Sequence, residues 1–260
     1  WDYNPADVVA KGRLKPGDMI AVDTENGELI KPQEIDKRLA SRAPYKQWLK
    51  ENAIRIQDTL TDETRSIEQL DPAAIKTYQK LFQVSFEERD QVIRPMAENG
   101  QEAVGSMGDD TPMAVLSAKV RPLYDFFRQQ FAQVTNPPID PLRESIVMSL
   151  ETCVGAERNV FEETPQHADR AILTSPVLSH SKFQQLLSIE RDGYAVQKIS
   201  LNYDAAISLR QAVENVCKEA AEAARNGKVI LVLSDRDIDQ GKLPIPALMA
   251  TGAVHHHLTN

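Results

Sequence analysis

The chain has 260 residues, 42% hydrophobic and 26% charged, with 11 glycines, 15 prolines and a net charge of −8. This is the composition of an ordinary globular protein, not of a low-complexity or disordered one, and the length permits a sizeable core without disulfides or metals. The acidic balance disfavours nucleic-acid or anionic-membrane partners, since phosphates need a cationic field, and the run of about 18 apolar residues that a membrane span requires does not occur.

Trp1-Asp2-Tyr3-Asn4-Pro5 lacks an initiator Met, a basic n-region and an apolar h-region, so it is no secretory or transit signal. Val254-His255-His256-His257-Leu258-Thr259-Asn260 stops inside a helical pattern. Both ends read as cut, and a segment of a longer polypeptide is expected. Residues 12–30 predict a hairpin: Met19 to Val22 form the first strand, Glu25-Asn26-Gly27 the turn, and Leu29-Ile30 the return. From Gln33 to Asn52 the pattern is helical, with Tyr45 and Trp48 three apart on one face. Residues 57–70 are polar and acidic and read as a linker.

Asp71-Pro72 predicts an N-cap and first helical position, with Ile75, Tyr78 and Phe82 on one face. Ser85-x-x-Glu88 reads as a capping box opening a second helix that Asn99-Gly100 closes. Pro122 opens a third, with an apolar stripe of Leu123, Phe126, Phe127, Phe131 and Val134. Then the style changes. Ile199-Ser200-Leu201 is a strand candidate, and 205–226 a long helix with Leu209, Val213, Val216, Cys217, Ala220 and Ala224 on one face. Val229 to Leu233 is an apolar run expected to be buried on both faces, and a helix follows from about Ile245. The pattern predicts an α/β fold, with a helical first half followed by right-handed parallel βα units.

Four constellations invite chemistry. Gly105-Ser106-Met107-Gly108-Asp109-Asp110 lacks the GK[ST] of a phosphate loop. Its adjacent aspartates repel phosphate, so it reads as a turn in which Asp110 or Thr111 caps a helix begun by Pro112. Thr135-Asn136-Pro137-Pro138-Ile139-Asp140-Pro141 is a stiff strut; spacing alone leaves open a connector or a rigid cavity wall, and Asp140-Pro141 caps a helix to about Leu150. Ser234-Asp235-Arg236-Asp237 stands at a strand end, where α/β folds handle ligands, yet reads equally as a self-satisfied Asp–Arg cluster. The histidines lack metal-site spacing. Cys153 and Cys217 form no CxxC and sit in no nucleophile context, so a reducing cytosol is expected and Cys217 reads as core packing.

GRLKPGDMIAVDT, PYKQWL, NGQEAVGSMGDDTPMAVLS, YDFFRQQFAQVTNPPIDPLRE, SPVL, VLSDR and AVHHHL occur in that order. Together they resemble the central domain of the glutamate synthase large subunit along essentially the whole chain. The resemblance implies that residues 1–35 are the tail of a glutamine amidotransferase domain, 36–70 a connecting segment and 71–260 the central domain, resembling a reduced or incomplete (β/α) barrel, with the FMN barrel absent. It implies a parent enzyme that makes two glutamates from glutamine and 2-oxoglutarate. That parent uses FMN and an iron–sulfur cluster, with FAD and NADPH on a small subunit. The amidotransferase and FMN domains and the small subunit would be its partners, in the cytoplasm.

No catalytic, cofactor or metal residue carries over to this stretch. Thr135, Asn136 and Ile139 match the family's positions at the entrance of an ammonia tunnel. Gly105, Ser106, Asp109, Asp110, Asp235 and Arg236 are expected at a domain interface. Two other readings remain: a free-standing barrel-like enzyme or ligand-binding module using the Ser234–Asp237 strand end, and a scaffold without contact with the ammonia path.

Overall fold

The computed structural model describes residues 3–56, 71–100, 103, 111–127 and 146–260. They form a mixed α/β chain of short helices and small separate sheets, divided into two compact units. One unit comprises Trp1–Arg55 with Glu157–Ala171, the other Ile56–Ala156 with Ile172–Asn260. The 57–70 linker, the Gly105–Asp110 turn and the Thr135–Pro141 strut lie outside the described residues, as do Phe131 and Val134.

In the first unit the predicted hairpin is present. Strands β1 (Ala21–Asp23) and β2 (Glu28–Ile30) pair antiparallel with Val22 opposite Leu29. Asp23 organises the turn, accepting from the backbone N–H groups of Glu25 and Asn26 at 2.9 and 3.1 Å and from the Asn26 side chain at 2.8 Å. These bonds, the side-chain one foremost, hold its carboxyl below the usual range. Gly27 supplies the left-handed φ of 64° that the turn requires.

The predicted helical stretch is two helices, α1 (Pro32–Ala40) and α2 (Tyr45–Asn52), with Pro44 as the N-cap of the second. Tyr45 and Trp48 meet edge to face at 5.5 Å. The chain then runs through β3 (Ile54–Arg55). The segment Glu157–Ala171 returns against α2 through a 3₁₀ turn, Pro165–Ala168. Tyr45 Oη donates to Glu163 at 2.7 Å, Arg42 pairs with the same carboxylate at 3.3 Å, and the Ile54 N–H donates to the Arg170 carbonyl at 2.9 Å. Among the described residues of this unit, Ala168 and Ala171 alone are buried.

The second unit opens with helix α3 (Pro72–Leu81), capped as predicted: Asp71 accepts from the Ala74 N–H at 2.7 Å. Tyr78 and Phe82 stack at 6.3 Å. Ser85 caps the next helix by accepting from the Glu88 N–H at 3.0 Å. The Glu88 carboxylate in turn accepts from Tyr124 Oη at 2.8 Å. This helix is interrupted. α4 (Phe86–Glu88) passes into a π-helical turn, Arg89–Ile93, before α5 (Arg94–Asn99). Pro95 gives the reason: its ring clashes with the carbonyl four residues back, and a widened turn makes room. Gly100 closes α5 at φ 61°.

Three local expectations fail. No helix starts at Pro112; Val115 and Leu116 form a turn and are 88% and 98% exposed. The helix from Pro122 is one 3₁₀ turn, Leu123–Phe126, that ends at Phe127. Residues 148–150 are irregular, so the helix expected to reach Leu150 stops sooner. The cause is shared: a short helix in water needs an apolar face to bury, and Phe126 and Phe127 stay largely exposed.

Strands β4 (Thr152–Val154) and β5 (Ala171–Leu173) and helix α6 (His180–Leu187) lead to the region that holds the main core. β6 (Val196–Ser200) and β8 (Ile230–Ser234) run parallel, Val196 opposite Ile230 through Ser200 opposite Ser234. Helix α7 (Leu209–Arg225) connects them, which is the predicted βαβ unit. β7 (Asn202–Asp204) and β9 (Lys242–Pro244), unforeseen in sequence, pair antiparallel. Helix α8 (Ala247–Thr259) ends the chain.

Ser208 caps α7 by accepting from the Gln211 N–H at 3.2 Å. At its other end the Gly227 and Lys228 N–H groups donate to the Ala224 and Ala223 carbonyls, both at 3.0 Å, with Gly227 at φ 78°. That is a Schellman motif. The buried face of α7 is Ala212, Val216, Cys217, Ala220, Ala221 and Ala223, whereas Leu209 and Ala224 are exposed, contrary to expectation. Small alanines let α7 lie close to β6 and α8, where Ile199, Leu201, Ile245, Ala250 and Val254 complete the core. Ile230 to Leu233 are half-buried rather than buried on both faces, because β8 has one strand neighbour among the described residues.

Candidate functional site

The parallel register brings β6 and β8 to an end together, at Ser200 and Ser234. Beyond that edge the Leu201 N–H donates to the Ser234 carbonyl at 2.8 Å, and the Ile245 N–H donates to the Leu201 carbonyl at 2.9 Å. The chain after β8 is tied down by its own polar groups. Ser234, itself buried, accepts on Oγ from the Arg236 N–H at 3.3 Å. Asn202 Nδ2 donates to the carbonyls of Asp235 and Arg236. Asn202 Oδ1 is buried without a hydrogen-bond partner among the described residues.

Asp235 and Arg236 thus stand at the strand end, as expected, with their backbones clamped by Asn202. The ion pair here is not the Asp–Arg cluster anticipated from sequence. Lys198, one strand over, reaches Asp237 at 2.9 Å, with Asp237 at a left-handed φ of 63°. A residue at β6 position 198 can meet 237 only through the parallel pairing, which no sequence spacing announces. Asn202 was also missed, although its place just after the Ile199–Leu201 strand candidate was a usable signal.

This edge does not suit acid–base or nucleophilic chemistry. Ser234 Oγ accepts from the Arg236 N–H and has no histidine or carboxylate against it among the described residues, and the Lys198–Asp237 pair is solvent-exposed. Nor does it fit the phosphate of a flavin mononucleotide, because Asp235 and Asp237 bring negative charge and Lys198 is already paired. Its arrangement closes the strand ends and holds a loop.

Elsewhere, His167 is a structural residue: its Nδ1 lies 3.0 Å from Thr164 Oγ1 and its Nε2 2.9 Å from the Asn159 carbonyl. Cys217 is buried in α7, and burial, then Glu214, pushes its thiol pKa up, away from the nucleophilic form. A groove between α7 and α8 is lined by Cys217, Glu214, His256 and His257, but no cluster of three metal-ligating side chains occurs among the described residues. Tyr124, whose phenol pKa is pushed up to about 12 by burial and by its bond to Glu88, is a strap and not an acid. Thr135, Asn136, Ile139, Gly105, Ser106, Asp109 and Asp110 lie outside the described residues.

No helix among the described residues is long and apolar enough to cross a membrane. Residues 1–48 match the class-II glutamine amidotransferases, and residues 77–260 match the glutamate synthase central domain. The ferredoxin-dependent glutamate synthase, chloroplastic, of Oryza sativa subsp. japonica is 42% identical over 255 residues, covering 96% of this chain and 16% of that protein. The glutamate synthase [NADPH] large chain of Azospirillum brasilense is 39% identical over 254 residues, covering 96% and 17%. The glutamate synthase [NADH] of Saccharomyces cerevisiae is 38% identical over 269 residues, covering 96% and 12%. The chain therefore spans about a sixth or less of the length of these relatives. With a match over residues 77–260 it belongs to the glutamate synthase central domain family.

Proposed function

We propose that this chain is the connecting, ammonia-channelling segment of a glutamate synthase, placed between a glutaminase domain and an FMN domain and not catalytic by itself. The observation that carries this reading is the tandem match, an amidotransferase end at 1–48 followed by the central domain at 77–260. In this reading residues 1–35 are the amidotransferase tail, 36–70 the connection and 71–260 a central domain with the character of an incomplete (β/α) barrel. Thr135, Asn136 and Ile139 wall the path of ammonia. The three prolines at 137, 138 and 141 support that role, because a wall that excludes water needs a backbone with little freedom. Gly105, Ser106, Asp109, Asp110, Asp235 and Arg236 face a neighbouring domain.

The parent reaction is the conversion of glutamine, 2-oxoglutarate and reductant to two glutamates, in the cytoplasm. FMN and an iron–sulfur cluster sit in the parent outside this segment, with NADPH delivered through a small FAD subunit. The relatives' names span ferredoxin, NADH and NADPH forms, so the donor is the part of the reading that a direct assay of the parent enzyme decides first.

Ile139→Trp in the parent polypeptide tests the channel. Glutamine-dependent glutamate synthesis should fall by about tenfold or more, since misplacement at a reaction path costs on this scale, while FMN reduction by the electron donor stays intact. Unimpaired synthesis would remove the tunnel assignment.

A further inference from the structure

Val160 and Phe161 are 81% and 93% exposed at the tip of the segment that returns to the first unit. Solvent exposure of an adjacent valine and phenylalanine would mean little on a loose loop. This loop is held from inside. Asn159 Oδ1 accepts from the Phe161 N–H at 3.1 Å, the Asn159 carbonyl accepts from the Glu162 N–H at 3.0 Å, and Asn159 Nδ2 donates to Glu162 at 2.9 Å. His167 braces the Asn159 carbonyl, and Glu163 fastens the base of the loop to Tyr45 and Arg42. A tip constrained this way gives up little further entropy on docking, and a rigid aromatic anchor is what interface hot spots are made of.

The surrounding unit points the same way. It buries two alanines among its described residues and leaves Met19, Val22, Leu29 and Leu49 more than half exposed. A folded unit with so little core completes itself against apolar surface from elsewhere. The site of attachment indicates whose surface. The loop lies within the central-domain match at 77–260, yet it is bolted to Arg42 and Tyr45 within the amidotransferase match at 1–48. The two matches interlock in one unit.

We propose that Val160–Phe161 is a plug that seats in an apolar pocket on the body of the class-II amidotransferase domain, clamping that domain to the central one. Beside the tip Glu157 is already paired with Arg170 at 3.1 Å and Glu162 accepts from Asn159, so the pocket is defined by the apolar pair and not by charge. The proposal rests on the parent polypeptide carrying such a domain, as in the proposed function.

Hydroxyl-radical footprinting compares Phe161 in the parent polypeptide and in the 260-residue chain. Going from exposed to the buried centre of an interface, Phe161 should be oxidised about tenfold more slowly in the parent. Phe161→Ser should leave the melting temperature of the 260-residue chain unchanged while raising the labelling of Val160 in the parent. Equal labelling in a parent that has an amidotransferase domain overturns the plug alone. A native polypeptide without that domain overturns both the plug and the functional reading. Slow labelling of the 260-residue chain that is relieved by dilution assigns the tip to a second copy, and also overturns the plug.

Discussion

Residues 71–127 and 172–260 belong to the same compact unit but are held by different physics. In the first stretch the order is local. Asp71 and Ser85 cap helices, Gly100 ends one, Tyr78 stacks on Phe82, and Tyr124 straps to Glu88, yet no described residue is buried. In the second, residues far apart in sequence bury one another, with Ile199, Ala220, Ile245 and Ala250 at or below 1% exposure. Capping bonds choose where a helix begins; they do not make a core.

The largest effect expected from this contrast is in the core. Ile199→Ala should cost the 260-residue chain about 2–5 kcal/mol, by lost transfer energy and a cavity. The chemically identical Ile75→Ala, on an exposed helix face, should cost less than about 1 kcal/mol. Urea unfolding followed by circular dichroism measures both, and equal losses would erase the distinction between the two regions.

A pair of cap deletions sharpens it at a smaller scale. Ser208→Ala and Asp71→Ala each remove a side-chain bond to a helix N-terminus, worth about 1 kcal/mol. The Ser208 loss should appear in the unfolding midpoint, because α7 is part of the core. The Asp71 loss should appear only as faster hydrogen exchange at the Ala74 amide, with the midpoint unmoved.

The smallest effect concerns Tyr124, whose phenol pKa is pushed up to about 12 by burial and then by Glu88. Its ordinary value lies near 10, so the fold favours the neutral phenol. That contribution is fully present below about pH 10 and is lost as pH rises through about 12. Because the residue is 49% exposed, solvent screening keeps it below about 1 kcal/mol. Phenolate absorbance during alkaline titration, compared with Tyr124→Phe, should isolate one late-titrating tyrosine. Its ionisation near pH 10 would dissolve the strap.

The features legible in sequence are those set by neighbours along the chain. The hairpin at Asp23–Gly27, the caps at Asp71 and Ser85 and the glycine stops at 100 and 227 follow from short-range chemistry, while the βα unit was legible only as an order of strand and helix patterns and its register was not. The helices expected at Pro112 and Pro122 fail for a complementary reason. Their capping signals are present, but Val115, Leu116, Phe126 and Phe127 find no surface to bury against among the described residues. Of the candidate site, Asp235 and Arg236 could be placed at a strand end from the apolar run before them. Asn202 could have been placed just after the neighbouring strand candidate, but its bonds to the Asp235 and Arg236 carbonyls, and Lys198 as the partner of Asp237, could not.

The sequence by itself determined the family, through the order of its motifs, and the local elements, through caps, turns and periodicity. Tertiary structure alone decided that Glu157–Ala171 leaves the central-domain stretch to join the amidotransferase end. It also decided that the buried face of α7 runs through Ala212, Ala221 and Ala223 rather than Leu209 and Ala224. The reason is the same in both cases. A helical repeat or a capping residue specifies geometry within a few residues of itself, whereas which face is buried and which segment returns depends on what lies across the gap.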